Sequence, residues 1–269
     1  MMLLELTDNK NIVLIDTSYY VFYRYFATMR WFGFQKKEFD MSTIIENEEY
    51  ISSFVKHMES DLKKICKKWK TDIDNIVFCA DCQRCDIWRN DLYKDYKGSR
   101  VQNVNFNRDI FPIVNDYIAK KNIKKVSFDR LEADDIIYLM QKQIKNIGKN
   151  NIIIISNDND YLQLADSRTN IINMQFKDIT LRGRKNADVD LYHKALYGDK
   201  SDNILKISPL MTKEKALEVS QMPEKEMKDW LIKHSLIDQF NFNMNLISFE
   251  LIPRKYVDTF YENIQVTVK

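Results

Sequence analysis

Hydrophobic positions along the chain fall into two recurring patterns. Short apolar runs occur within Asn11–Ile15, Ile76–Ala80 and Asn151–Ser156, and Lys125–Phe128 and Asn170–Met174 read as further short strands. The strongest is the stretch of four consecutive isoleucines at 152–155. Runs of this kind suit strands buried on both faces of a parallel sheet. Between them lie segments with helical spacing. Tyr50–Trp69 places Ile51, Phe54, Val55, Met58, Leu62 and Ile65 on one face, and Lys63, Lys64, Lys67 and Lys68 on the other. Tyr19–Phe26 is an aromatic helical stretch, Phe106–Lys121 reads as a helix, and Ile136–Met140 opens another. Residues 31–48 show no period. Val189–Tyr197 is helical, short helices follow to about Phe240, and Leu246–Val268 is mixed. Strands alternating with helices through residue 174 predict an α/β fold with a parallel sheet. Such sheets bind ligands beyond the carboxyl ends of their strands.

Composition narrows the class. The 269 residues are 45% hydrophobic and 30% charged, enough for one large or two small globular domains with a real core. The net charge of +2 gives no global basic signal, so contacts to an anionic partner must come from local patches. Five Gly and four Pro leave little material for long flexible linkers. The N-terminus lacks a basic segment and a full apolar stretch, and no apolar run is long enough to span a bilayer. No membrane association is expected, and an intracellular location (cytoplasm, nucleus or a viral replication site) is. The four cysteines are then reduced. Cys79, Cys82 and Cys85 are spaced C-x2-C-x2-C with Cys66 upstream, but Cys79 falls inside a buried strand, which favours free thiols over a metal site. His57, His193 and His234 are scattered and read as structural.

The polar positions carry the chemistry. Leu131-Glu132-Ala133-Asp134-Asp135 reads as the first turn of a helix, where the dipole favours acids. Two charges ~4 Å apart repel by about 1 kcal/mol in water and about 4 at an effective dielectric of 20. A hard divalent cation with oxygen ligands would offset that. Asp16 and Asp81 end two strands, and Asp158 and Asp160 follow a third. Asp199 and Asp202 lie in the loop after the helix ending at Tyr197. Acids delivered from so many strand ends can converge on one rim. Within residues 82–104, Arg84, Arg89, Lys94, Lys97 and Arg100 interleave with Trp88, Tyr93 and Tyr96. That mixture suits a single-stranded nucleic acid, through phosphate pairing and base stacking.

In order, Asp16, Asp81, Glu132-Ala-Asp134-Asp135, Asp158-Asn-Asp160 and Gly198-Asp199-Lys-Ser-Asp202-Asn-Ile resemble the metal-dependent 5′-nucleases. These are flap endonucleases and the 5′–3′ exonuclease domains attached to bacterial polymerases, and the style is closest to those of large DNA viruses. The resemblance implies a PIN-like nuclease core over 1–180 with a helical arch at about 82–104. A helical, helix–hairpin–helix-like region would fill 181–269. It implies phosphodiester hydrolysis near 5′ flaps or ends of DNA with two Mg2+ ions (Mn2+ substituting). Asp16, Asp81, Glu132, Asp134 and Asp135 would hold or surround one, and Asp158, Asp160, Asp199 and Asp202 would attend the other, some through water. Tyr96-Lys97-Gly98-Ser99-Arg100 matches the family's Y-K-x-x-R, so Lys97 and Arg100 would neutralise charge at the scissile phosphate. Arg24, Arg84, Arg89 and Tyr96 would contact DNA. An RNA 5′ arm is a further candidate substrate, and a monomer is expected. Where the family carries G-x-G, this chain has Leu205-Lys206-Ile207-Ser208-Pro209-Leu210-Met211-Thr212-Lys213. Without the glycines a potassium site loses its basis, and duplex anchoring falls to Lys206, Lys213 and Lys215. A PIN-type single-strand ribonuclease and a catalytically idle DNA-binding relative compete with this reading. The length after residue 180 counts against the first, and the nine intact carboxylates against the second.

Overall fold

The computed structural model describes residues 1–8, 10–35, 43–101, 103–183 and 186–269. Its centre is a five-stranded parallel sheet. β2 (Ile12–Asp16) leads through α1 (Thr17–Phe34) and α2 (Glu48–Trp69) to β3 (Ile76–Ala80). The chain continues through short α3 (Arg89–Leu92) and α4 (Ile110–Lys120) to β4 (Lys124–Ser127). Then come α5 (Ala133–Ile147), β5 (Ile152–Ile155) and β6 (Thr169–Ile172). The spatial order is β4-β3-β2-β5-β6. Growth runs outward from β2 to β4, then resumes on the other side of β2 with β5. The order therefore reverses beside β2, and Asp16 ends that strand at the switch point.

Alternation along the strands divides the core. Val13, Ile15, Phe78, Ile153 and Ile155 pack under α1, α2 and α4. Ile12, Leu14, Val77, Cys79, Ile152 and Ile154 pack under α5. Both faces being covered explains why these strands read as unbroken apolar runs. Each buried isoleucine contributes about 1.5–3 kcal/mol. The α2 helix starts where Asn47 accepts a hydrogen bond from Tyr50 N, and stops at Lys70 in the left-handed conformation (φ 47°).

Two features depart from the sequence pattern. A small second sheet pairs β1 (Met2–Leu6) in parallel with β7 (Ile264–Val268). Only Leu4, Leu6, Ile264 and Val266 of these strands are buried, too few positions to register as a period. Phe249, Ile252 and Phe260 join the same α5-side cluster, so the end of the chain packs with the sheet and not with the helices preceding it. Those helices are α6 (Ala187–Tyr197), α7 (Lys213–Ser220), α8 (Glu224–Lys233) and α9 (Ile237–Ile247), and α10 (Arg254–Asn263) leads into β7. α6–α9 form a third cluster that also takes in Ile87 and Tyr96. The segment expected as a helical arch is only a 3-10 turn at Arg84–Asp86, α3 and a series of turns. Trp88 anchors it on the α5 side, and Ile87 and Tyr96 on the α6–α9 side. Gln102 lies outside the described residues. No described helix is long and apolar enough to cross a membrane.

Candidate metal centre

The carboxyl ends of β2, β3 and β5 and the start of α5 meet at a cleft of about 450 Å³. Asp16, Asp81, Glu132, Asp134 and Asp158 line it, with Lys97 and Arg100. Each acid is fixed by its local backbone. Asp16 caps α1, accepting from Tyr19 N at 3.0 Å, while Tyr161 Oη (3.1 Å) and Ser156 Oγ (3.3 Å) donate to its other oxygen. Asp81 accepts from Ala133 N at 2.9 Å and from Ser18 Oγ at 2.5 Å, tying the end of β3 to the start of α5. Asp158 caps the 3-10 turn Asn159–Leu164, accepting from Asp160 N at 3.0 Å. Asp134 accepts from Asp135 N at 2.8 Å.

The electrostatics show what this crowding costs. Burial, then repulsion from Asp81 and Asp158, pushes the Asp16 carboxyl up to about 7. Burial and the neighbouring Glu132 and Asp135 push Asp134 well above the usual carboxylate range. For Glu132, burial acts upward but is outweighed by Lys97 and Arg89, and its carboxyl is held below the ordinary value. Lys97 Nζ pairs with Glu132, and Arg100 reaches Asp202 at 2.5 Å.

Asp135 does different work from its neighbours. It is fully buried, and both oxygens are engaged: Arg89 binds it bidentately at 2.8 Å and Trp88 Nε1 donates at 2.9 Å. Oxygens so committed are not free for a metal, although they lie within 4.8 Å of oxygens of Glu132 and Asp134. With both oxygens so engaged, Asp135 stands with the residues that surround a cation, and Arg89, expected at DNA, is turned into the interior. Arg89 is 1% exposed and holds Glu132 (3.0 Å), Asp135 and the Leu246 carbonyl (2.8 Å) together. Desolvation of two acids drew it inward, which an interleaved basic segment does not announce.

A second group, Asp160, Asp199 and Asp202, also brings carboxylate oxygens within 4.8 Å of one another. Gly198 makes this possible. It sits at φ +78°, and a Cβ there would meet the Ile204 carbonyl oxygen at 2.5 Å. The loop closes through mutual Asp199 and Ile204 backbone bonds of 2.8 Å. Lys194, in the last turn of α6, puts its Nζ between Asp160 and Asp199, 2.6 Å from the latter. Burial acts upward on Asp199, but Lys194 and Ser201 hold its carboxyl down to about 2. Asp160 is pushed up to about 6, chiefly by burial. Sequence reasoning missed Lys194. The signal was a basic residue in the last turn of the helix that feeds the G-D-x-S-D loop.

Three further expectations are corrected. Tyr96 is 5% exposed, with Oη donating to Glu132 (3.1 Å) and Asp202 (3.4 Å), so its ring offers no stacking face. Arg24 is buried on α1 and paired with Asp61 at 2.5 Å, its charge satisfied inside the helical layer. In the turn lacking glycines, Ile207 and Met211 fill the α6–α9 cluster, and Lys206 Nζ donates to the Met211 carbonyl at 3.0 Å over the Tyr197 ring. Lys206 is thus spent on the turn itself. Lys215 pairs with Glu218 at 2.8 Å, Lys213 is exposed, and Arg84 is exposed with its guanidinium on the Lys97 carbonyl. The four cysteines are free thiols.

Every donor in both groups is a carboxylate oxygen, and Asp16 and Asp134 of the first group stay well above the usual carboxylate range despite the cations nearby. That set fits a hard divalent cation. Comparison with known proteins places the chain in a family. A family model described as "5′-3′ exonuclease, N-terminal resolvase-like domain" matches residues 11–191. The chain belongs to this family. It is 28% identical over 205 residues to the 5′-3′ exonuclease of Buchnera aphidicola subsp. Schizaphis graminum, covering 74% of this chain and 66% of that protein. It is 28% identical over 210 residues to DNA polymerase I of Streptococcus pneumoniae, covering 73% of this chain and 22% of the polymerase. The chain therefore spans under two thirds of the exonuclease and under a quarter of the polymerase. Among solved structures, a bacteriophage T5 flap endonuclease variant, in a pseudo-enzyme–product complex with DNA and metal ions, superposes with TM-score 0.65. The identity is 15%, and 94% of this chain and 97% of that one are covered. T5 5′-exonuclease with bound zinc gives 0.63 at 15% identity, covering 94% and 98%. At that identity the likeness establishes the mixed α/β, parallel-sheet PIN-like fold.

Proposed function

We propose that this chain hydrolyses DNA phosphodiesters at or near 5′ flaps and ends, using divalent cations, Mg2+ foremost, held at the carboxylate cleft. One observation carries the reading. The cleft at the sheet's switch point gathers acids from three strand ends and a helix start, with two cationic side chains on its wall. Asp16, Asp81, Asp134, Asp158 and Glu132 would hold the first cation, Glu132 after Lys97 releases it. Asp160, Asp199 and Asp202 would attend a second, once Lys194 swings off their oxygens. Cations bound there supply Lewis acidity and an activated water. Lys97 and Arg100 then face the scissile phosphate and neutralise charge as it develops. Asp135 acts through Arg89, holding Glu132 and the start of α5 in place. The names of the relatives and the presence of DNA in the T5 complex support DNA as substrate.

The test is a 5′-labelled flap duplex with Mg2+ or chelator, carrying either a DNA or an RNA 5′ arm. Cleavage near the junction in Mg2+, absent in chelator, is the expected result. Binding without any cleavage would leave only a DNA-binding relative. Release of label from any single strand, RNA included, would favour the ribonuclease.

A further inference from the structure

Beside the carboxylate cleft lies a second cavity of about 710 Å³. Its size falls in the range of small-ligand sites, about 300–1,000 Å³. One wall is shared with the cleft, through Asp81, Glu132, Lys97 and Arg100. The cavity's lining also includes Phe22, Phe106, Phe111, Asn115, Arg108 and Lys125. Away from the residues it shares with the cleft, the lining is basic and aromatic and holds no acid.

Lys125 is the telling residue. It lies on edge strand β4, paired in register with Phe78, three residues before Asp81. At about 3.3 Å per residue this sets it roughly 10 Å back along the strand direction. Its neighbour Val126 enters the α5-side core, so alternation turns Lys125 to the other face. There it is half-buried, and Nζ donates to Asn115 Oδ1 at 2.7 Å. Among the described residues no carboxylate pairs with it. Burial, uncompensated by a counter-charge, lowers its pKa. A partly desolvated ammonium facing only a neutral amide is unfavourable, and an anion entering the cavity would offset that. Arg108 is exposed in the same lining and likewise forms no ion pair among the described residues. Phe22 is 43% exposed, with its ring 5.2 Å from that of Phe106. An exposed aromatic surface beside free cations suits a nucleobase joined to a phosphate.

We propose that this cavity holds the 5′-terminal nucleotide of the strand, its terminal phosphomonoester on Lys125 and Arg108 and its base against Phe22 and Phe106. The inference rests on the DNA-hydrolysing reading above. A phosphomonoester carries about −1.5 to −2 at pH 7, whereas a 5′-hydroxyl carries none. The chain therefore selects 5′-phosphorylated ends.

The test uses the full chain in chelator, so that nothing is cut. Tetranucleotides labelled at the 3′ end and bearing a 5′-phosphate, a 5′-hydroxyl or a 5′-methyl phosphodiester are compared by fluorescence anisotropy. The phosphomonoester should bind about tenfold tighter than the hydroxyl, the scale of one charge-assisted contact. Lys125→Met and Arg108→Gln should each bring that ratio toward one, and Lys125→Arg should keep most of it. Lys124→Ala is the control, because Lys124 Nζ is spent on the Asp74 carbonyl. A wild-type ratio near one overturns the proposal. So does a ratio that survives both Lys125→Met and Arg108→Gln, or a capped diester that binds as tightly as the monoester. Arg108 is exposed, so its variant remains informative even if Lys125→Met folds poorly. Flap cleavage in Mg2+, measured separately, distinguishes the two failures. Cleavage with a ratio near one sinks the pocket alone, and no cleavage sinks the nuclease reading whatever the ratio.

Discussion

Two neighbouring groups of carboxylates are relieved of their crowding to different degrees. Around Asp16, Asp81, Asp134 and Asp158 burial and mutual repulsion dominate: Asp16 and Asp134 are pushed far up, and Arg89 and Lys97 relieve Asp134 only in part. Around Asp160 and Asp199 the Lys194 ammonium sits between the acids, and Asp199 is pulled down to about 2. Residue types are the same and the backbone logic is the same: a cap, a strand end, a tight loop. The difference is where the cations sit: Lys194 lies between two acids of the second group, whereas Lys97 and Arg89 are engaged with Glu132 and Asp135 at the edge of the first. An acidic cluster is thus a metal trap only to the extent that the protein withholds its own cations from it.

The comparison breaks most readily at Asp134. Asp134→Asn should lower flap-cleavage turnover by more than the roughly 10–100-fold typical of a change behind the ligands. It should also raise the melting temperature in chelator, because one repelling charge is gone. Near-wild-type turnover in Mg2+ would remove Asp134 from the centre. Next in size is Arg89→Met, which leaves Glu132 and Asp135 buried without their shared guanidinium. Breaking a buried pair this way costs about 3–5 kcal/mol, readable in urea melts. A loss below about 1 kcal/mol would mean that the site relaxes around the gap.

pH sharpens the contrast. In chelator, Asp16 (about 7) and Asp160 (about 6) have folded values raised above 3.8. Their contribution to stability is complete below about pH 4 and is lost as pH rises toward 7. Glu132 and Asp199 act oppositely, with contributions that are lost as pH falls below about 4. The melting temperature in chelator should therefore decline between pH 5 and pH 7.5, and Mg2+ or Mn2+ should flatten that decline. A chelator curve that rises across this window contradicts the crowding. The smallest effect belongs to Lys194→Met. Freed of the ammonium, Asp160 and Asp199 should bind Mn2+ more tightly, giving a larger metal-induced rise in melting temperature than wild type. An unchanged rise would show that Lys194 does not compete with the cation.

The acids of this site were legible because position explains them. A carboxylate after an unbroken apolar strand has few reasons to be there, and Asp16, Asp81 and Asp158 share that context. Asp199 and Asp202 were legible through the Gly198 loop. Lys194 and Arg89 were not, because a basic residue in a helix turn or a polar segment is usually solvated. Only the three-dimensional meeting with a buried acid reveals otherwise. The fold was legible where burial is two-sided. It was not at β1 and β7, whose two buried positions each gain meaning only from a partner at the other end of the chain. Arg24 and Tyr96 were misplaced for a related reason: Asp61 and Glu132, distant in sequence, claim their polar atoms.

Arg89 has one more bond, to the Leu246 carbonyl 157 residues away. The guanidinium that orders the start of α5 is thus fastened to the end of α9. Closing a loop of that length costs entropy that only the folded surroundings offset, so the clasp is expected to form late. During folding, the sheet can assemble while Glu132 and Asp135 still lack their clasp. Only docking of the last of the α6–α9 helices completes it. Trp88, beside Arg89 and bonded to Asp135, should report that final step as a late fluorescence phase, well after the sheet's far-ultraviolet signal has appeared. A chain caught halfway has a sheet, but the start of α5 that carries Glu132 and Asp135 is not yet clasped.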